Sequence, residues 1–315
     1  MAGPWDRGPR PPRPRPPRGD ALPGARARPE AATGPRADGL RPASAPPVEG
    51  RPPRWPDRQA PAEATSTSTR PARREELRLY GLNAVQAVFE RRPGAIRKVY
   101  LAETRIGALK SLLAWCVKQR VGYRVVEAAD LDRLAGSAHH EGVVADVLRP
   151  EPMPLAAWLD ALPAGAPAPA IWLDGVGNPH NFGAILRSAA HFGAAVLLPA
   201  HAPLALSGAA ARVAEGGAEA VPLVRLPEGA AALERLRGAG FALAATVVRD
   251  GGDLFAATLP PRLVYVMGAE GAGMDAALAA ACDLRLSIPG SGAVESLNVA
   301  AATAVFLAQW AASRR

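Results

Sequence analysis

Two textures of apolar and polar positions divide the chain after residue 74. Before that point only Met1, Leu22, Leu40 and Val48 are aliphatic or methionine side chains. Beyond it, apolar residues recur at helical or strand spacing almost to the last residue. Residues 79–89 carry helical apolar spacing, with Gly81 near the start, and predict a helix. Residues 99–101, 123–126 and 142–147 predict strands, residues 106–119 an amphipathic helix, and residues 131–134 a short one. Residues 75–149 thus form a small α/β unit. Pro150, Pro152, Pro154, Pro163 and Pro167 mark residues 150–168 as a linker.

A different pattern starts at Ala170. Near-continuous apolar runs at 171–173, 195–198, 221–224, 241–244, 263–267 and 284–287 are separated mostly by helical segments. Strands that do not alternate are buried on both faces, so residues 169–315 predict a parallel sheet with crossover helices. A ligand site is expected at the loops leaving the strands' carboxyl ends. The last apolar run, 297–312, is interrupted by Asn298, Thr303 and Gln309. It falls short of about 18 clean residues, which predicts a core-facing helix and no membrane span.

Charge sharpens the boundary at residue 74. The first 74 residues hold 15 Arg against 7 Asp or Glu and 18 of the 33 prolines, so they carry the whole net charge of +8. Such a segment buries too little apolar area to offset its ordering entropy and is expected to be a disordered, partly polyproline II tail. A positive Arg-rich arm supplies nonspecific phosphate contacts or merely solubilises. No continuous apolar run follows its first arginines, so no secretory signal is expected. The 34 Arg against 3 Lys are read as coding bias. Two cysteines, Cys116 and Cys282, make neither a disulfide framework nor a zinc site and read as small buried hydrophobes. The expectation is a soluble, cytoplasmic protein without a metal.

Three polar, glycine-bearing segments fall at the strand ends. The first is Asp174-Gly-Val-Gly-Asn-Pro-His-Asn-Phe-Gly-Ala-Ile-Leu-Arg187. After Gly175 and Gly177 the third glycine of a dinucleotide fingerprint is replaced by His180, which weakens a nicotinamide-dependent oxidoreductase. Arg187, among Ile185, Leu186, Ala189 and Ala190, either pairs with a carboxylate or meets a phosphate. The second segment is Met267-Gly-Ala-Glu-Gly-Ala-Gly273, whose glycines allow close backbone approach and present Glu270. The third is Ile288-Pro-Gly-Ser-Gly-Ala-Val-Glu-Ser-Leu-Asn-Val-Ala300, with Ser296 as the expected N-cap and Asn298 in the first helical turn.

In this order the three segments resemble the motifs of the SpoU/TrmH family, S-adenosylmethionine-dependent RNA ribose 2′-O-methyltransferases of the SPOUT superfamily. Arg212-Val-Ala-Glu-Gly-Gly-Ala-Glu219 matches a further family segment. Tyr80-Gly-Leu-Asn-Ala-Val85 and His139-His-Glu-Gly-Val143 are similar to the family's ribosomal-protein-like RNA-binding domain, which gives His139 and His140 loop and RNA-contact roles. The resemblance implies a knotted (trefoil) methyltransferase domain, a homodimer, and an active site shared between subunits. It also implies that Gly268, Ile288 and Leu297 hold S-adenosylmethionine, largely through backbone groups. Arg187 would act on the 2′-hydroxyl, as proton acceptor or as a phosphate-orienting group, with Asn181, Glu270, Ser296 and Asn298 positioning it and the ribose. The RNA partner is ribosomal in preference to transfer RNA. Asn178, Gly290 and Ala300 depart from the family's usual Asp, Met and Ser. A catalytically silent RNA-binding or ribosome-assembly factor on the same fold is the alternative.

Overall fold

A computed structural model describes residues 75–202, 204–269 and 273–314. The arginine-rich segment 1–74, on which the tail expectation rests, lies outside the described residues, as does Glu270.

The amino-terminal part runs β1 (Glu76–Tyr80), α1 (Leu82–Arg91), β2 (Ile96–Leu101), α2 (Lys110–Gln119), β3 (Gly122–Val125), α3 (Ala128–Ala135) and β4 (Val143–Leu148). Its sheet has the order β1-β4-β2-β3, with β4 antiparallel to both neighbours and β3 parallel to β2. The helix expected over 79–89 is corrected here. Leu77 and Leu79 point inward and Glu76 and Arg78 outward, a period of two that makes β1 a strand. Gly81, at φ 100° and ψ 137°, takes a conformation open to glycine, and the helix begins only after it. Likewise α2 starts at Lys110, four residues later than the apolar spacing suggested.

The expected linker carries structure of its own: β5 (Met153–Pro154) and α4 (Leu155–Ala161), which buries Leu155 and Trp158. There follow β6 (Ala168–Leu173), α5 (Pro179–Phe192), β7 (Ala195–Leu198), α6 (Gly208–Ala214), α7 (Gly217–Ala220), β8 (Leu223–Arg225) and α8 (Ala231–Gly238). The chain closes with β9 (Ala242–Thr246), β10 (Gly252–Asp253), β11 (Arg262–Met267), α9 (Ala276–Ala280), β12 (Leu284–Ser287) and α10 (Val299–Ala312). All pairings of this second sheet are parallel, in the order β10-β12-β9-β11-β6-β7-β8-β5. Every residue of β6 and β7 is buried, as two-sided coverage requires. Residues of α5, α6, α7 and α10 cover one face, and residues of α4, α8 and α9 the other.

The two sheets share one continuous core, in which Val88 and Val99 belong with Phe182, Ala210 and Leu307. Polar groups reinforce the junction. Arg212 pairs with Glu141 at 2.6 Å and Glu215 at 2.8 Å, and Glu141 also accepts from the amide of Leu82 at 2.9 Å. Arg92 forms a two-pronged pair with Glu219, whose side chain is 4% exposed. His140 is corrected from an RNA contact to a structural residue. It is buried, its Nδ1 accepts from the Gly142 amide at 2.9 Å, and its Nε2 lies 3.2 Å from Asp132.

Candidate active site

The carboxyl ends of β6, β9, β11 and β12 bring four loops to one rim of the large sheet. Each loop exists because a buried strand must surrender its backbone groups to turns, caps or solvent where it leaves the sheet. After β6 the chain reaches α5 through Asn178, whose side chain accepts from the amides of His180 at 2.8 Å and Asn181 at 3.4 Å. After β12 it reaches α10 through Asn298, which accepts from Ala300 at 2.9 Å and Ala301 at 3.4 Å. The cap of α10 is therefore Asn298. Ser296, the expected cap, lies two residues before Asn298 and is exposed.

The capping geometry leaves the amide of Asn298 pointed at the other helix. Its Nδ2 donates to Asn181 Oδ1 at 3.0 Å, across 117 residues of sequence. Two of the expected site residues are thus in contact. Arg187 sits further along α5 on its exposed side, and no carboxylate among the described residues pairs with it. The salt-bridge alternative for Arg187 finds no support there.

Gly268 opens the loop after β11. Ala269 and Gly273 exchange two backbone hydrogen bonds, of 2.9 and 3.0 Å, and so close this loop on itself. A Cβ on Gly268 would lie 2.5 Å from the Met274 amide nitrogen and 2.6 Å from the Gly273 carbonyl carbon. The glycine is thus required by the loop's own backbone.

Ile288 and Leu297 bracket the loop after β12. Within it, among the described residues, the amide of Ala293 donates to Ser291 Oγ at 3.4 Å, and Glu295 pairs weakly with Arg249 of the loop after β9. The amides and carbonyls of Ile288 and Leu297 enter no hydrogen bond among the described residues. Val294 is 71% exposed and Leu297 47%, and Val248 and Phe255 on the neighbouring segments are exposed as well. Exposed apolar side chains beside unused backbone donors and acceptors suit a flat heterocycle with a hydrogen-bonding edge.

Sequence reasoning missed a cavity of about 830 Å³ at the carboxyl ends of β6, β7 and β8. Asp174 and Asp275 are among its lining residues. Its signal was an acid placed directly after a fully buried strand.

Cys116 is buried as expected, whereas Cys282 is only partly so, with its Sγ donating to the Leu278 carbonyl at 3.3 Å. Burial raises both thiols, that of Cys282 to about 11. Among the described residues no group of three His, Cys, Asp or Glu is arranged to hold a metal ion. No described helix is long and apolar enough to cross a membrane.

Residues 168–308 match the SpoU rRNA Methylase family, and residues 78–153 match the RNA 2′-O ribose methyltransferase substrate binding family. The uncharacterized tRNA/rRNA methyltransferase YfiF of Escherichia coli O157:H7 is 37% identical over 238 residues, covering 76% of this chain and 68% of that protein. The 23S rRNA (guanosine-2′-O-)-methyltransferase RlmB of Pseudomonas putida is 35% identical over 238 residues, covering 73% and 94%. Among solved structures, the SpoU methyltransferase AviRb from Streptomyces viridochromogenes, in complex with AdoMet, is 25% identical with a TM-score of 0.62, covering 76% of this chain and 90% of that one. Motif order, the joined helix starts and these relatives agree, and the chain belongs to the SpoU family of S-adenosylmethionine-dependent RNA ribose 2′-O-methyltransferases.

Proposed function

We propose that the protein methylates a ribose 2′-hydroxyl in ribosomal RNA, with residues 75–149 as the RNA-binding unit, 150–168 as the connection and 169–315 as the methyltransferase. The observation that carries this reading is the Asn298–Asn181 hydrogen bond, which joins the starts of α5 and α10 at the loop rim. S-adenosylmethionine, when bound, supplies an electrophilic sulfonium methyl group. The backbone of Gly268, Ile288 and Leu297 would hold its adenine, beside the exposed apolar side chains of the rim. The reaction then asks the chain to align one hydroxyl and let its proton go. Asn181 and Asn298 fix the ribose, with Ser296 and Glu270 as further positioning groups. An exposed guanidinium donates hydrogen bonds and does not accept protons. Arg187 therefore orients the target through its phosphate, and water takes the proton.

The helix α10 bears on a dimer. Its exposed positions Ala301, Ala308 and Ala312 are all apolar, a pattern suited to a covered helix. A second copy packed there brings its Arg187 to this site, in a homodimer with the trefoil knot that the family resemblance implies. The arginine-rich segment 1–74 adds nonspecific phosphate contacts, and the protein works in the cytoplasm. Removing that segment should flatten the log-affinity versus log-salt slope for RNA by about 3 units if it touches about four phosphates.

Transfer of labelled methyl groups to 23S rRNA and to tRNA, with mapping of the modified nucleotide, tests the central reading. Incorporation at one ribose of 23S rRNA is expected. Cofactor binding without transfer to either RNA would sink it in favour of a silent binding factor.

A further inference from the structure

The 830 Å³ cavity is lined by none of Gly268, Ile288 or Leu297, so it is distinct from the loops assigned to the cofactor. It opens at the ends of β6, β7 and β8, and of these β7 and β8 are neighbours whose chains leave toward opposite faces: β7 to α6, β8 to α8. Such a reversal leaves a crevice beyond the strand ends. Trp172, Leu226, Leu233 and Leu278 supply apolar walls.

Three carboxylates, His201 and the Trp172 indole are the polar side chains of this cavity. Asp174 accepts from the Asp275 amide through Oδ2 at 2.9 Å, and Asp275 accepts from the Leu278 amide through Oδ1 at 2.9 Å. Each carboxylate keeps its second oxygen without a partner among the described residues. Glu228, also at the rim, is matched by His201 at 2.8 Å. Among the described residues no lysine or arginine lines the cavity. Trp172, 7% exposed, lines it too, and its indole Nε1 is buried with no acceptor. Adjacent carboxylates without a cation repel phosphate and accept from N–H groups. Among the four RNA bases only guanine offers two neighbouring N–H donors, N1–H and the 2-amino group, on one edge.

We infer that this cavity takes the guanine base of the target nucleotide, turned out of its stack, with that edge on Asp174 and Asp275 and a ring acceptor toward Trp172. An unstacked base read through its pairing edge between apolar walls is the usual mode of selecting one nucleotide of RNA. The loop carrying Asp174 ends at Asn178, the cap of α5, so a base held there leaves its ribose on the Asn181 side. The assignment rests on the RNA methyltransferase activity proposed above.

The test uses the full-length protein with S-adenosylmethionine present. Guanosine, inosine and adenosine at millimolar concentration are titrated by saturation-transfer NMR and as inhibitors of methyl transfer to 23S rRNA. Guanosine should bind and inhibit, inosine about tenfold more weakly because it lacks one donor, and adenosine more weakly still. Asp174→Asn and Asp275→Asn keep an oxygen for the backbone amides. They should erase the guanosine preference and raise the KM for RNA about tenfold, leaving S-adenosylmethionine affinity and Tm unchanged. Equal response to guanosine and adenosine would overturn the assignment. So would displacement of S-adenosylmethionine by guanosine, or Asn variants that keep the wild-type preference. Absence of methyl transfer with guanosine binding still lost in the Asn variants would refute the activity while upholding the pocket.

Discussion

The two sheets meet the demand for burial in opposite ways. The small sheet covers one face fully and the other only where α3 packs Leu131 on Tyr80 and Val144, and it leaves Arg78, Lys98 and Arg124 on strands whose outward residues reach solvent. The large sheet is covered on both faces, and its strands β6 and β7 contain no exposed residue. A sheet only partly covered on one side offers a lateral surface on which charges tolerate exchange. A sheet closed on both sides offers chemistry only at its ends, where each side chain is fixed by a cap or a turn. Substitutions should therefore be mild on the first and severe at the rim of the second.

The sharpest break in that contrast is expected at Arg187. Arg187→Ala should lower turnover about a thousandfold or more and leave S-adenosylmethionine affinity within a few fold. Turnover assays beside calorimetric titration measure both, and near-normal turnover would remove Arg187 from the reaction. Gly268→Val acts on the rim differently. Its side chain overlaps the Gly273–Met274 backbone, so cofactor affinity and Tm should fall together, with a stability loss of about 1–3 kcal/mol. Full affinity in this variant would mean that the loop is not part of the cofactor site.

Two arginines set the contrast in the same units. Arg92→Ala strands the carboxylate of Glu219, 4% exposed, and should cost about 3–5 kcal/mol in denaturant unfolding. Arg78→Ala breaks a pair with Asp146 whose arginine is 47% exposed and should cost less than about 1 kcal/mol. Equal costs would refute the claim that burial of the carboxylate makes the difference. The smallest expected effect is chemical. With its thiol pushed up to about 11, Cys282 should react with iodoacetamide at pH 8 about a hundredfold more slowly than an unperturbed cysteine, as labelling followed by mass spectrometry would report.

Strands of the large sheet were legible because a strand buried on both faces leaves an unbroken apolar run. Residues 195–198 and 284–287 coincide with β7 and β12. Strand β1 was obscured by the overlap of two periods. Leu79 stands three residues before Leu82, as in a helix, and only the φ of Gly81 separates strand from helix. Helix α4 was hidden among prolines that flank it. At the site, Ser296 and Asn298 are both good caps by residue type, and the choice between them is made by which side chain reaches the next amides. The meeting of Asn181 with Asn298 depends on the packing of α10 against α5, which no spacing records. The cavity at β6 was legible only as an acid after a strand.

The neutral caps of α5 and α10 have an electrical consequence. Both are 14-residue helices, both begin at the rim, and neither carries an acidic residue in its first turn. An aspartate at either cap would offset the partial charge of roughly half a proton that aligned peptide dipoles leave at a helix start. Asparagine satisfies the same amides and leaves that charge in place. Two such termini, tied together through Asn181 and Asn298, add positive partial charge at that point of the rim. That charge would favour an alkoxide at the ribose position proposed above and a phosphate lying next to it. Asn178→Asp would keep the cap and dim that field.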